Sequence, residues 1–96
     1  MSGYILTEHA RRDVESIVEY VEGASGIDAA MHVLNELEKA FCLIADAPGI
    51  GVMRNDLAEL PVRCWVVFNY LIAYQPESSP VVIYRVVHGA RDLPVK

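Results

Sequence analysis

The segment from residue 80 to residue 93 constrains the fold more than any other stretch, because it holds the most β-prone run in the chain. Its valine-, isoleucine- and tyrosine-rich core lies between Pro80 and Gly89, residue types that mark turns. Both alternating faces of this run are apolar, and they consist of Val81, Ile83 and Val87 on one side and Val82, Tyr84 and Val86 on the other. A strand that is apolar on both faces is covered on both sides, so we predict that it lies inside the sheet.

The same segment also carries cationic side chains. Arg85 lies within the strand, and His88 and Arg91 lie at its exit. Half-buried cations need either a partner or a function. We therefore expect functional residues near the C-terminal half of this strand.

The first half of the chain predicts a short strand followed by two helices. Residues 3–6 indicate the strand, and Thr7 offers a side-chain cap for the first helix. We expect Gly23 and Gly26 to end that helix, and Ser25 with Asp28 to cap the second. The second helix should stop before Pro48, and two helices joined this closely should pack as an antiparallel hairpin.

The second half predicts a loop and a meander of three strands. Residues 48–61 indicate a loop, residues 63–67 and 70–74 two strands joined by a turn at Phe68 and Asn69, and residues 75–80 a second turn. The order is β-α-α-β-β-β, and the predicted fold is α+β, with the helical hairpin packed on an antiparallel sheet. We expect residues 1–96 to form a single domain.

Composition excludes several classes of protein. The chain is 53% hydrophobic and 22% charged, and it has neither an apolar run long enough for a membrane span nor a secretory leader, so we expect a cytoplasmic protein. Cys42 and Cys64 are expected to be buried free thiols, and with three scattered histidines they form no zinc signature, so neither a metal nor a cofactor is expected.

Charge is distributed unevenly along the chain. Residues 1–46 hold nine acids and three bases, whereas residues 47–96 hold four acids and five bases. A net charge of −5 disfavours non-specific nucleic-acid binding, although the later arginines could form a local positive patch. The candidate cluster, with Trp65 and Tyr84 nearby in sequence, is Arg54, Arg63, Arg85, His88 and Arg91.

Two interpretations of this cluster stay open. Arginines grouped on a sheet hold phosphate or carboxylate, and Arg63 and Arg85 could face the same side. Alternatively, Arg85 pairs with an acid such as Asp13 or Asp92, and Arg54 and Arg63 only improve solubility. Paired-carboxylate, phosphate-loop and nucleophile motifs are not recognisable in the sequence.

Several motifs resemble those of the RelE/ParE toxin superfamily. The resemblance covers nearly the whole chain, from residues 4–20 through the Pro-Gly-x-Gly loop at 48–51 to the hairpin at 63–74. The closing sequence Ile-Tyr-Arg-Val-Val-His-Gly-Ala-Arg-Asp-Leu at 83–93 is similar to the ParE, or plasmid-stabilisation, branch. That family has the β-α-α-β-β-β order reached above.

The resemblance implies a toxin of a type II toxin–antitoxin system. ParE-like members are associated with inhibition of DNA gyrase by binding, without an active site, and here the contact residues would be Arg63, Arg85, His88 and Arg91. RelE-like members cut mRNA on the ribosome, and the candidates for that chemistry would be Arg54, Arg85, His88 and Arg91. The only lysines are Lys39 and Lys96 and no tyrosine follows Tyr84, a departure from the ribonuclease pattern. A third alternative is a non-toxic remnant that only binds its antitoxin.

The resemblance also implies a ParD-like antitoxin that wraps the toxin in a hetero-oligomer. DNA binding would then belong to the complex. We expect the antitoxin to contact the first helix and the sheet, because an amphipathic segment laid in an apolar groove is a common mode of recognition. The candidate contacts are Val14, Ile17, Val18, Val21, Tyr70 and Leu71.

Overall fold

The computed structural model describes residues 3–54 and 62–88, and within them two helices pack on a five-stranded sheet. The elements, in chain order, are β1 (Tyr4–Leu6), α1 (Glu8–Ser25), α2 (Ile27–Asp46), a 3-10 turn (Pro48–Ile50), β2 (Val52–Arg54), β3 (Val62–Val67), β4 (Tyr70–Gln75) and β5 (Val81–His88). The predicted α+β class and the helical hairpin on a sheet are confirmed. Neither helix combines the length and apolar character needed to cross a membrane.

The sheet has the strand order β1-β5-β4-β3-β2, so β5 lies inside it as predicted. Strands β2 to β5 form antiparallel neighbours, whereas β1 pairs with β5 in parallel, which makes the sheet mixed. The meander of β3, β4 and β5 and the turn at Phe68 and Asn69 are confirmed. β5 is therefore the strand that connects the first strand of the chain to the C-terminal meander.

Strand β2 was not predicted. Residues 48–61 were interpreted as a loop, but residues 48–50 form a 3-10 turn and Val52–Arg54 pairs antiparallel with β3. The strand depends on contacts distant in sequence: the Tyr74 hydroxyl donates to Pro48 O at 2.6 Å and accepts from the Gly51 N–H at 2.9 Å. These bonds hold the segment against the sheet, where its backbone pairs. Residues 55–61 of the predicted loop lie outside the described residues.

Helix α1 begins where the sequence indicated, since the Thr7 side chain accepts a hydrogen bond from Ala10 N–H. Gly26 ends the helix as expected, but Gly23 does not, because the helix continues through it to Ser25. The expected Ser25–Asp28 cap was wrong, since Gly26 occupies the N-cap position of α2 and no side chain caps that helix. Gly26 has φ of 95° and ψ of 171°, a conformation that is accessible essentially only to glycine.

The core lies between the helices and one face of the sheet. Its largest buried side chains there are Leu37, Phe41, Ile44, Ile72, Tyr74, Ile83 and Val86. A second apolar cluster on the other face contains Val62, Cys64, Leu71, Ala73 and Val87, with Tyr84 packed against it. Both cysteines are free thiols, and Cys64 is buried, but Cys42 is exposed on α2, so the expectation that both are buried was wrong.

The simple alternation predicted for β5 was also wrong at its C-terminal end. Ala73 pairs with Arg85 and Tyr74 with Ile83, so Tyr84 is an extra residue on β5 and forms a β-bulge. Because the bulge shifts the phase by one residue, Val86 joins the helix-side core and Val87 joins the opposite cluster. The bulge therefore decides which side chains of β5 face the first helix.

Candidate functional site

The backbone groups at the β5 bulge are bound by side chains from α1. Strand β1 pairs only with residues 81–83 of β5. Beyond it, the Thr7 hydroxyl donates to Tyr84 O at 2.9 Å, and the Val86 N–H donates to Asp13 Oδ2 at 2.9 Å. Thr7 and Asp13 thus form hydrogen bonds with two backbone groups of β5, Tyr84 O and Val86 N–H, that lie past the end of the pairing with β1.

Asp13 also holds Arg85 through two parallel hydrogen bonds. Arg85 Nε donates to Asp13 Oδ2 at 2.7 Å, and Arg85 Nη2 donates to Asp13 Oδ1 at 3.1 Å. The Asp13 side chain is only 13% exposed and that of Arg85 40% exposed. This two-pronged geometry restricts the guanidinium orientation more than a single contact does. The interpretation that Arg85 pairs with Asp13 is confirmed.

A cavity of about 120 Å³ opens beside this ion pair, between α1 and the adjoining ends of β4 and β5. It is lined by Asp13, Ser16, Ile17, Tyr20, Tyr70, Val86 and His88. The rings of Tyr70 and His88, whose residues pair across the two strands, meet edge to face at 5.7 Å. Tyr20 is 61% exposed, so the cavity has a partly open aromatic wall.

The chemistry of the cavity suits a side chain of a partner. Ile17 and Val86 supply apolar surface to the cavity. Its other lining residues include three with hydroxyl groups, Ser16, Tyr20 and Tyr70. The charge of Asp13 is balanced by Arg85. A small, half-enclosed site with apolar surface and a few polar groups resembles a pocket for an anchor residue at a protein interface.

The second cationic region lies elsewhere, on the β2–β3 side of the sheet. Arg63 Nη1 donates to Gly51 O at 2.6 Å, beside the Tyr74 hydroxyl that binds Gly51 N–H. Burial raises the pKa of Tyr74 above its ordinary value of 10.0, although the hydrogen bond from Gly51 and the charge of Arg63 act in the opposite direction. Arg63 therefore stabilises the turn before β2, and Arg54 lies on β2 itself.

The predicted cation cluster is consequently divided. Arg63 pairs with Tyr74 of β4, whereas His88 pairs with Tyr70, four residues away along the same strand. At about 3.3 Å per residue, this offset separates the backbones of Arg63 and His88 by roughly 13 Å along the strand direction. The structure brings Arg85 and His88 to the same end of β5, but it does not bring Arg63 to His88. Arg91 lies outside the described residues.

The predicted antitoxin contacts fall in three environments. Ile17 and Tyr70 line the cavity, while Val18 and Val21 are half-buried on α1. Val14 belongs to the helix-side core, and Leu71 belongs to the cluster on the opposite face of the sheet. Buried in this way, the last two residues contribute to the fold of the isolated chain, and the other four form the accessible part of the predicted set.

Sequence reasoning did not select Ser16 and Tyr20 as site residues. The signal that could have found them is helical spacing, because Asp13, Ser16, Ile17 and Tyr20 follow the i, i+3, i+4, i+7 pattern of one helix face. Within residues 3–54 and 62–88, no group of three His, Cys, Asp or Glu side chains could hold a metal ion.

Comparisons with known proteins agree with this architecture. Residues 4–93 match the family described as "ParE toxin of type II toxin-antitoxin system, parDE". The chain is 30% identical over 86 residues to Toxin ParE1 of Caulobacter vibrioides, covering 90% of this chain and 78% of that protein. The fold also matches a solved structure of the chromosomal ParDE system of P. aeruginosa, with a TM-score of 0.75, 16% identity and coverage of 92% and 96% of the two chains. The chain belongs to the ParE toxin family of type II toxin–antitoxin systems.

Proposed function

We propose that this ParE-type toxin inhibits DNA gyrase by binding it and that a ParD-like antitoxin neutralises the toxin. The proposed target follows the ParE-like signature at residues 83–93 and the family match. Action on gyrase would take place in the cytoplasm. In this proposal the chain is a protein inhibitor and carries no catalytic residue of its own.

The observation that carries the proposal is the ion pair between Arg85 and Asp13. A ribonuclease would need Arg85 to stabilise a phosphate, but its Nε and Nη2 atoms already bind the Asp13 carboxylate. The position of Arg54 supports the same conclusion, because Arg54 pairs with Val62 at one end of the sheet, whereas His88 pairs with Tyr70 at the other end of β4. A constellation able to hold one reacting phosphate needs donors that converge within a few ångströms.

The cavity beside α1 supports an antitoxin partner. It offers apolar surface and an aromatic wall on the face that joins α1 to the sheet, where an amphipathic segment could insert a side chain. Toxin and antitoxin would form the hetero-oligomer, and DNA binding would come through the antitoxin.

A filled cavity tests the antitoxin site. Ser16→Trp places an indole at the cavity wall, whereas Glu22→Trp adds the same side chain at an exposed position of α1 that does not line the cavity. We expect Ser16→Trp to weaken antitoxin binding at least tenfold by calorimetry and Glu22→Trp to change it by less than threefold. Equal affinities for both variants and the wild type would contradict this site.

A ribosome-dependent cleavage assay separates the inhibitor from the ribonuclease alternative. The proposal predicts that the purified protein leaves mRNA intact on translating ribosomes, and that His88→Ala makes no difference there. Cleavage that disappears with His88→Ala in a folded protein would favour the ribonuclease. Expression without the antitoxin that leaves growth unaffected would instead favour the non-toxic remnant.

A further inference from the structure

The β3–β4 turn holds a bulky residue in an unfavourable backbone conformation. Phe68 and Asn69 connect the strands directly after the pair of Val67 with Tyr70. Phe68 has φ of 54°, in the left-handed region that L side chains other than Asn and Asp seldom adopt. Positions of this kind in two-residue hairpins are normally occupied by Gly, Asn or Asp. A phenylalanine here therefore opposes the local backbone preference.

Burial does not compensate for this strain. Phe68 is 54% exposed, and its ring lies beside that of His32 on α2, with centroids 5.9 Å apart and planes tilted by 50°. His32 is itself exposed. A residue held in an unfavourable conformation, without a buried environment that requires it, indicates a function outside the folding of the chain.

The surface of α2 that His32 shares has no excess of positive charge. Asn69 is uncharged, and next to His32 this surface holds Glu36, Glu38 and Lys39, of which Lys39 binds Glu36 at 3.1 Å. A protruding aromatic ring beside a surface without excess positive charge matches an apolar pocket on a partner better than it matches nucleic acid or an anionic ligand.

We propose that Phe68 is an anchor residue that inserts into an apolar pocket of the toxin's target protein. This inference rests on the proposed function, in which the toxin acts by binding a folded protein. Tyr70, two residues after Phe68, pairs with His88, so the turn lies at the end of the sheet that carries His88, one of the proposed target contacts. We assign the antitoxin to the cavity because a concave site suits side chains supplied by a flexible segment. Phe68 projects from a turn, which suits a pocket on a folded target protein.

The test replaces the ring with a residue that suits the turn. Phe68→Asn relieves the backbone strain, and Phe68→Gly serves as a second variant if the first alters the turn. We expect both variants to melt at or above the wild-type temperature, to bind the antitoxin within threefold of wild type, and to require at least about tenfold more protein for half-maximal inhibition of gyrase supercoiling. Val66→Thr is the matched control, because Val66 lies on the same hairpin at 62% exposure in a regular strand and should leave all three measurements unchanged.

Growth arrest after expression without the antitoxin provides a readout that does not depend on the identity of the target. The proposal predicts that wild type and Val66→Thr arrest growth and that Phe68→Asn does not at equal protein levels. Full growth arrest by Phe68→Asn overturns the anchor role, and so does an equal loss of antitoxin and target binding. If wild type arrests growth but does not inhibit gyrase, gyrase is not the target. The anchor role of Phe68 is then still tested by comparing growth arrest by Phe68→Asn with growth arrest by wild type. A wild-type chain that does not arrest growth overturns both proposals.

Discussion

Asp13→Ala should destabilise the toxin more than a typical substitution of an acid on a helix. The change leaves the Val86 N–H without its acceptor, which costs about 1–3 kcal/mol. It also removes the bidentate partner of Arg85, but that guanidinium is 40% exposed, so water reduces this loss to about 1 kcal/mol. The unfolding free energy should therefore fall by roughly 2–4 kcal/mol. For a chain of 96 residues this corresponds to a drop in Tm of roughly 10–30 °C.

Two further variants separate the roles of Asp13. Asp13→Asn retains an oxygen that can accept the Val86 N–H but loses the charge that binds Arg85, so its loss should be about half that of Asp13→Ala. Glu19→Ala removes an exposed acid from the same helix and should stay within about 0.5 kcal/mol of wild type. Chemical denaturation at neutral pH measures all three. An Asp13→Ala protein as stable as Glu19→Ala, or an Asp13→Asn protein as unstable as Asp13→Ala, would refute the assigned role at the bulge.

Three further predictions concern the turn before β2 and the thiols. Tyr74→Phe should lower the unfolding free energy by about 1–3 kcal/mol, because Gly51 N–H loses its acceptor. Since the folded-state pKa of Tyr74 is raised, the stability that its neutral hydroxyl contributes is fully present below pH 10.0 and is lost as the pH rises through the folded-state pKa. Denaturation between pH 9 and 11.5 should therefore show that the unfolding free energy falls less in Tyr74→Phe than in wild type. Gly51→Ala should cost about 1–3 kcal/mol in the same denaturation experiment, because the added Cβ would lie 2.9 Å from Cys64 O, and a neutral result would contradict the close packing there. A thiol reagent should modify Cys42 in the native protein and Cys64 only after unfolding, and rapid modification of both would show that Cys64 is accessible.

Local signals were sufficient to predict the helices and most of the sheet. The Thr7 cap is a contact between residues three apart, and the apolar spacing along each helix is contained within that helix. The dense β-branched run of β5 likewise required an interior position, and the structure confirms it. Features determined by neighbouring residues in sequence were therefore accessible before the structure.

Features that depend on distant residues were not accessible in this way. The bulge in β5 is bound by Thr7 and Asp13, which lie 77 and 73 residues from their partners. Strand β2 depends similarly on Tyr74, 23 residues from Gly51. The cation cluster could not be placed correctly because residue type alone does not determine the register between strands, and that register separates Arg63 from His88.

The strain at Phe68 also escaped sequence reasoning. A two-residue turn at residues 68–69 was predicted from the strands on either side, but which of its residues adopts positive φ is set by the twist of the hairpin. Similarly, the polar residue Ser16 lines a cavity together with Val86, which the bulge places on the side of the sheet that faces the helices. The candidate site thus arises from one irregularity in a strand whose overall position was predictable.

The most direct test of the proposed function is gyrase supercoiling of relaxed plasmid, measured with and without the purified toxin and then with the ParD-like antitoxin added. Supercoiled product and double-strand breaks are quantified in the same reactions. We expect that the toxin abolishes supercoiling, that cleaved DNA accumulates, and that stoichiometric antitoxin restores activity. Undiminished supercoiling at micromolar concentrations of folded toxin would contradict gyrase inhibition by binding.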